Sequence, residues 1–126
     1  MSKKIISSPD APQAVGPYSQ GVEAKGILFL AGQIPLDPAG NIVPGGITEQ
    51  TDRVLKNIQA LLKAAGYTVD DVVKSTVFLS DMNNFAGMNA EYAKVYTKNP
   101  PARSTVQVAR LPKDALVEIE TIAIKA

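Results

Sequence analysis

The chain has 126 residues, 13 basic and 12 acidic for a net charge of +1, and contains neither cysteine nor histidine. Those absences exclude disulfides, thiolate metal sites, cysteine nucleophiles and the Ser-His-Asp relay, so any chemistry must run on carboxylates, Arg, Lys, Tyr, hydroxyls and backbone groups. The longest basic run is Lys3-Lys4, which leaves little footprint for nucleic acid, and no segment approaches the ~20 apolar residues of a membrane span.

Residues 3–6 read as a short first strand. Residues 8–18 carry Pro9, Pro12, Gly16 and Pro17, too many breakers for a helix, and form a shaped loop. Two strands follow, residues 19–25 and 27–31, joined at Lys25-Gly26 as a hairpin. Gly40-Asn41 and Gly45-Gly46 mark turns further on. In residues 47–65 the apolar positions Ile47, Val54, Leu55, Ile58, Leu61, Leu62 and Ala65 keep helical spacing, and Gly66 supplies a left-handed stop. Residues 72–79 are rich in branched side chains and read as a strand, with Asp81 placed to cap the next helix. Phe85, Met88, Tyr92, Val95 and Tyr96 put a second apolar stripe on that helix, of roughly three turns. Pro100-Pro101 ends it, and two more strands, residues 104–109 and 116–124, flank Leu111-Pro112-Lys113-Asp114.

This order contains no linker, repeat or low-complexity segment, so a single domain over residues 1–126 is expected, with a sheet of five or six strands. No apolar stretch of signal-peptide length opens the chain, which reads as soluble and cytoplasmic. Two helical stripes cover only one face of such a sheet. In the last strand Val117, Ile119, Thr121 and Ala123 alternate with Glu118, Glu120, Ile122 and Ile124, so apolar side chains stand on both faces. The second face is expected to be buried against another subunit, with two carboxylates on it and with Thr105 and Gln107 sharing it. Such a mixture of polar and apolar groups suits an interfacial pocket. Glu120 is expected to pair with a lysine or arginine at a rim; Glu118 is either a second such pair or a pocket group.

The stretch Pro100-Pro101-Ala102-Arg103-Ser104-Thr105-Val106 sets a full charge at the mouth of a strand. Two prolines hold the entry extended, and Val106 and Val108 are expected to point inward from it. From these residues alone Arg103 is either an ordinary strand-end partner of a surface acid or a guanidinium held to grip a carboxylate or phosphate.

The blocks "GPYSQG" from Gly16, "AGQIP" from Ala31, "NxxAxxxxAG" from Asn57, "KSTVFLSDMNNFAGMN" from Lys74 and "PPARSTVQVARLPKDALVEIE" from Pro100 together resemble the RidA family, also known as the YjgF type. The resemblance runs along essentially the whole chain in the family's order, and the final block is its most specific part. It implies an α+β, chorismate-mutase-like subunit, a mixed sheet of about six strands with both helices on one face, assembled into a homotrimer around a central barrel. It also implies a 2-iminobutanoate/2-iminopropanoate deaminase, hydrolysing enamine and imine intermediates such as 2-aminoacrylate to 2-keto acids and ammonia with no metal or organic cofactor. By matching position, Arg103 would hold the substrate carboxylate and Glu118 would orient or activate the attacking water. Tyr18 would stand at the pocket edge, Gly32 would bring backbone close to the ligand, and Asn89 would belong to the neighbouring wall.

Two positions depart from the family's usual residues. Ala31 stands where many members have serine, and Thr105 where many have cysteine, so both candidate ligand contacts are altered while the arginine, glutamate and tyrosine remain. Each assignment has a plainer counterpart: Tyr18 as a buried aromatic with its hydroxyl satisfied, Asn89 as a solvated or capping amide, Arg110 as a structural ion-pair former. Two other functions compete with the deaminase. One is a non-catalytic module that binds a 2-keto acid and reports its level. The other is the endoribonuclease or translation-inhibitor role attached to some relatives, against which the near-zero charge and lack of histidine argue. Neither a phosphate-binding nor a dinucleotide-binding glycine motif is present, so no nucleotide cofactor is expected.

Overall fold

The computed structural model describes residues 2–125. The strongest pattern of the sequence becomes the longest element, helix α1, Ile47–Ala65, with the expected bounds. Its residues Val54, Leu55, Ile58, Leu61 and Leu62 are buried, because a 3.6-residue period lays them along one side. At its start the Glu49 carboxylate accepts the Gly46 amide at 2.8 Å. At its end Gly66 adopts φ 81°, a left-handed turn that a β-carbon would strain.

Asp81 caps as expected, although what it caps first is a one-turn 3₁₀ segment, Met82–Asn84: its carboxylate accepts the Asn83 amide at 2.9 Å. Helix α2, Phe85–Val95, follows directly. Among the described residues no helix is long and apolar enough to cross a membrane.

Six strands form one sheet: β1 Lys4–Ile6, β2 Gly21–Ala24, β3 Ile27–Gln33, β4 Val72–Leu79, β5 Ala102–Gln107 and β6 Val117–Ile124, in the spatial order β1-β2-β3-β6-β4-β5. Neighbours are antiparallel except β4 and β5, whose parallel pairing needs a crossover that α2 supplies. The β2–β3 hairpin turns at Lys25 and Gly26, both left-handed at φ 51° and 76°, the backbone that matches strand twist. Both helices lie on one face, where Leu28, Leu30, Val77, Leu79, Val117, Ile119 and Ala123 form the core with them. This is the expected α+β architecture of a mixed sheet with two helices on one side.

The other face has no cover among the described residues. Ile5, Val22, Phe29 and Ile122 stand there in one lateral row across four strands, and Phe29 is 48% exposed. The alternation expected for the last strand is present, with Val117, Ile119, Thr121 and Ala123 buried and the residues between them more open.

Two expectations are corrected by the sheet. Strand β5 starts two residues earlier than expected and runs in the opposite phase, so Val106 is 43% exposed. Its register sets Arg103 opposite Ser75 and Thr105 opposite Val77, both buried residues of the helix-covered face. Thr105 and Gln107 therefore do not share the face of Glu118. In addition, β3 runs past residue 31 to Gln33 by way of a bulge: Leu30 pairs with Thr121 but Gln33 with Ile119, leaving one extra residue on β3.

Candidate active site

Edge strand β5 and helix α2 place Arg103. The diproline starts the strand, the parallel register turns the side chain beneath α2, and small, buried Ser75 leaves it room. Its Cζ lies 4.8 Å from the Tyr92 ring centroid and 5.6 Å from that of Phe85. Among the described residues the ion pairs are Lys56–Asp52, Lys94–Glu91 and Arg110–Asp114, so Arg103 has no carboxylate partner. Asn89, Tyr92, Ala93, Tyr96, Pro100, Pro101 and Arg103 line a cavity of about 360 Å³.

Several polar atoms around this guanidinium are buried without a hydrogen-bond partner: Asn89 Oδ1, Thr105 Oγ1, Ser75 Oγ and the Tyr92 and Tyr96 hydroxyls. Ser75 stands near both phenols without forming a well-aligned bond to either. Burial pushes the Tyr92 phenol above its ordinary pKa, with Ser75 and Arg103 opposing in smaller measure. Tyr92 is thus a neutral ring facing a cation. Thr105 follows Arg103 on the same face but does not line the cavity.

Glu118 occupies the opposite face of the sheet. It pairs in register with Phe78 on β4, and on its other side the β3 bulge brings Gly32 so close that a β-carbon there would collide with the carboxylate. Val15, Tyr18, Ala31, Gly32, Ile34, Pro112 and Glu118 line a second cavity of about 370 Å³. Glu118 is half-buried, and that burial, with a smaller contribution from the Glu120 charge, pushes its carboxyl above the usual range. Neither glutamate forms an ion pair among the described residues, which corrects the expected rim pair for Glu120.

The remaining candidates are equally distinct. Tyr18 is not a buried aromatic: it is 51% exposed at the cavity mouth, and its hydroxyl accepts the Val15 amide at 3.3 Å. Arg110 is the structural partner expected, donating to both carboxylate oxygens of Asp114 at 2.6 and 3.1 Å. Among the described residues no group of three or more carboxylates is gathered closely enough to hold a metal ion. A further groove, lined by Gln59, Leu62, Tyr67, Thr68, Val69, Lys94 and Val95, has one charged lining residue, Lys94, which is already paired with Glu91.

The structure therefore brings the predicted residues together in two groups, Arg103 with Asn89 and Glu118 with Tyr18, Ala31 and Gly32. It does not join the groups within one chain. Val15, Ile34 and Pro112 escaped the sequence reading because nothing local marks a loop apolar residue as a cavity wall. Tyr92 and Phe85 were read only as core, although their helical spacing does put them on one face.

Among the described residues the α+β fold thus holds an unpaired cation and an unpaired carboxylate in separate cavities on opposite faces of its sheet. The family model described as Endoribonuclease L-PSP matches residues 8–125. A RutC family protein of Pyrococcus horikoshii is 55% identical over 124 residues, 98% of each chain. The mouse protein named 2-iminobutanoate/2-iminopropanoate deaminase is 46% identical over 124 residues, covering 98% of this chain and 92% of its own. The crystal structure of E. coli TdcF with bound serine superposes with a TM-score of 0.93 at 45% identity, over 98% of this chain and 99% of that one. The chain belongs to this family, the YjgF/RidA family.

Proposed function

We propose that this protein is a cofactor-independent, cytoplasmic 2-iminobutanoate/2-iminopropanoate deaminase, working as a homotrimer with sites between subunits. The observation that carries the reading is an arginine that, among the described residues, has no carboxylate partner and lines a cavity large enough for a small 2-imino acid. Its complement, a carboxylate with no cation partner among those residues, lines a cavity on the other sheet face. A second copy whose Glu118 cavity meets the Arg103 cavity of the first supplies both groups to one ligand. The uncovered apolar row through Phe29 and Ile122 gives those copies a surface to bury. The mouse relative's name and the serine in TdcF support an amino-acid-sized substrate.

In this reading Arg103 grips the substrate carboxylate through two parallel N–H bonds, which also sets the position of the α-carbon. Water adds to the carbon of the C=N bond while Glu118 takes its proton, and the same carboxyl returns that proton to nitrogen. The carbinolamine hydroxyl then gives its proton to nitrogen through the same carboxylate as the C–N bond breaks, leaving a 2-keto acid and ammonia. Its half-buried setting and raised pKa fit Glu118 to proton transfer. Asn89 and Tyr18 border the ligand, and Ala31, lacking the usual hydroxyl, bears on which imine is preferred.

The test couples a serine or threonine dehydratase to this protein and follows semicarbazide-trappable enamine. Arg103→Ala is expected to abolish the acceleration while preserving the assembly, and unchanged turnover would refute the role of the arginine. A 2-keto-acid-binding module would use Arg103 identically, and the bound serine of TdcF keeps that second reading in view. It predicts ligand binding with no acceleration in the same assay. The family model's description names an endoribonuclease. The net charge of +1 and the lack of histidine argue against that activity, and RNase activity retained by Arg103→Ala would point to a separate site or a contaminant.

A further inference from the structure

Arginines that bind ligands are commonly held by a neighbouring carboxylate, and Arg103 has none among the described residues. One face of α2 takes that place. Phe85, Met88 and Tyr92 lie three and four residues apart, so they form one stripe above β5. The guanidinium rests on it, with Nη1 3.9 Å from Met88 Sδ and Cζ over both rings. Tyr96, a turn further on, backs Tyr92 with ring centroids 4.6 Å apart.

We propose that the Phe85–Met88–Tyr92 stripe is a positioning cradle, which orients the Arg103 guanidinium through aromatic faces and leaves its charge free for the ligand. The proposal rests on the reading of Arg103 as the carboxylate anchor and names what makes that anchor effective. A ring quadrupole attracts a cation without neutralising it. A carboxylate in the same place would compete with the substrate's own. The stack restrains the plane of the fork, so less rotamer freedom remains to be lost when two N–H bonds form to the ligand. The neutral state of the Tyr92 phenol, maintained by burial, is consistent with this role, since a phenolate would be a competing anion. The cradle also accounts for the phase of β5 at Arg103, whose side chain reaches a helix face and a cavity rather than filling a core.

Tyr92→Leu tests the cradle, because it keeps an apolar side chain and removes the ring. Binding of 2-oxobutanoate to the assembled protein, measured by calorimetry, is expected to weaken about tenfold, and Tyr92→Phe should recover most of that loss. The Arg103 Nε–H resonance, assigned by its disappearance in Arg103→Ala, should be ring-shifted in the wild type and in Tyr92→Phe. It should revert toward the value of a solvated arginine in Tyr92→Leu. Wild-type affinity in Tyr92→Leu, with binding lost in Arg103→Ala, overturns the cradle and leaves the anchor standing. Wild-type affinity in Arg103→Ala overturns the anchor itself. Should Tyr92→Leu fail to fold, Phe85→Leu at the more exposed end of the stripe decides: about threefold weaker binding supports the cradle and unchanged binding overturns it.

Discussion

A single methyl group added at Gly32 should disarm Glu118 without touching it in sequence. An alanine β-carbon at this bulge would stand 2.9 Å from Glu118 Cδ and 3.2 Å from its Cγ. Carbon atoms pack at about 3.5–4.0 Å, so the carboxyl carbon must retreat by roughly 0.6–1.1 Å. The bulge is held by the Ala31 amide donating to the Gln20 carbonyl at 2.9 Å and by the Gln33–Ile119 pairing, so the side chain yields before the backbone does. A displacement of about 1 Å in a group that must meet a water molecule costs on the order of a hundredfold in turnover. Gly32→Ala should therefore lower kcat by about that factor in the dehydratase-coupled assay. Binding of 2-oxobutanoate through Arg103 should persist. The backbone at residue 32 is not left-handed, so the loss would not come from conformational strain. Turnover equal to the wild type, in a variant of unchanged assembly, would refute the close approach as a determinant of catalysis.

Glu120→Gln removes the like charge that helps raise the Glu118 pKa. The acid limb of the kcat–pH profile should start above the ordinary glutamate range in the wild type, because the ionised form is the base, and should shift to lower pH in this variant. An unshifted limb would mean that Glu118 does not govern it. Tyr96→Phe removes a buried hydroxyl that has no hydrogen-bond partner, so unfolding should show a change between zero and about 1 kcal/mol in favour of the variant; a clear loss of stability would reveal a hidden partner such as an ordered water. Phe29→Asp puts a charge in the middle of the open apolar row, and sedimentation should show the assembly dissociating. Unchanged sedimentation would place the interface elsewhere.

How much of the fold and the site was legible in the sequence depends on where each signal comes from. Residues 47–65 announce α1 to the residue, because a long amphipathic period and a glycine stop leave no competing reading. The alternation of β6 is equally plain and correctly separates Glu118 from the core. Strand β5 misleads: its apolar Val106 points to the uncovered face, while its inward positions are Arg103 and Thr105, so a rule that apolar side chains point inward inverts its phase. That inversion also hid which sheet face each group occupies, since Arg103 and Glu118 lie only fifteen residues apart in the chain yet on opposite faces of the sheet. The β3 bulge was unreadable for a different reason: nothing in Ala31-Gly32-Gln33 says that one residue will be left over opposite β6.

Mixing two inactive variants measures the central claim directly. Arg103→Ala and Glu118→Gln chains, denatured together in equal amounts and refolded, should recover about one quarter of wild-type activity, because a site between neighbours is intact whenever one contributes its arginine and the other its glutamate. Activity no greater than that of the separately refolded variants would mean that both groups serve a site within one chain, and the proposed division between copies would be wrong.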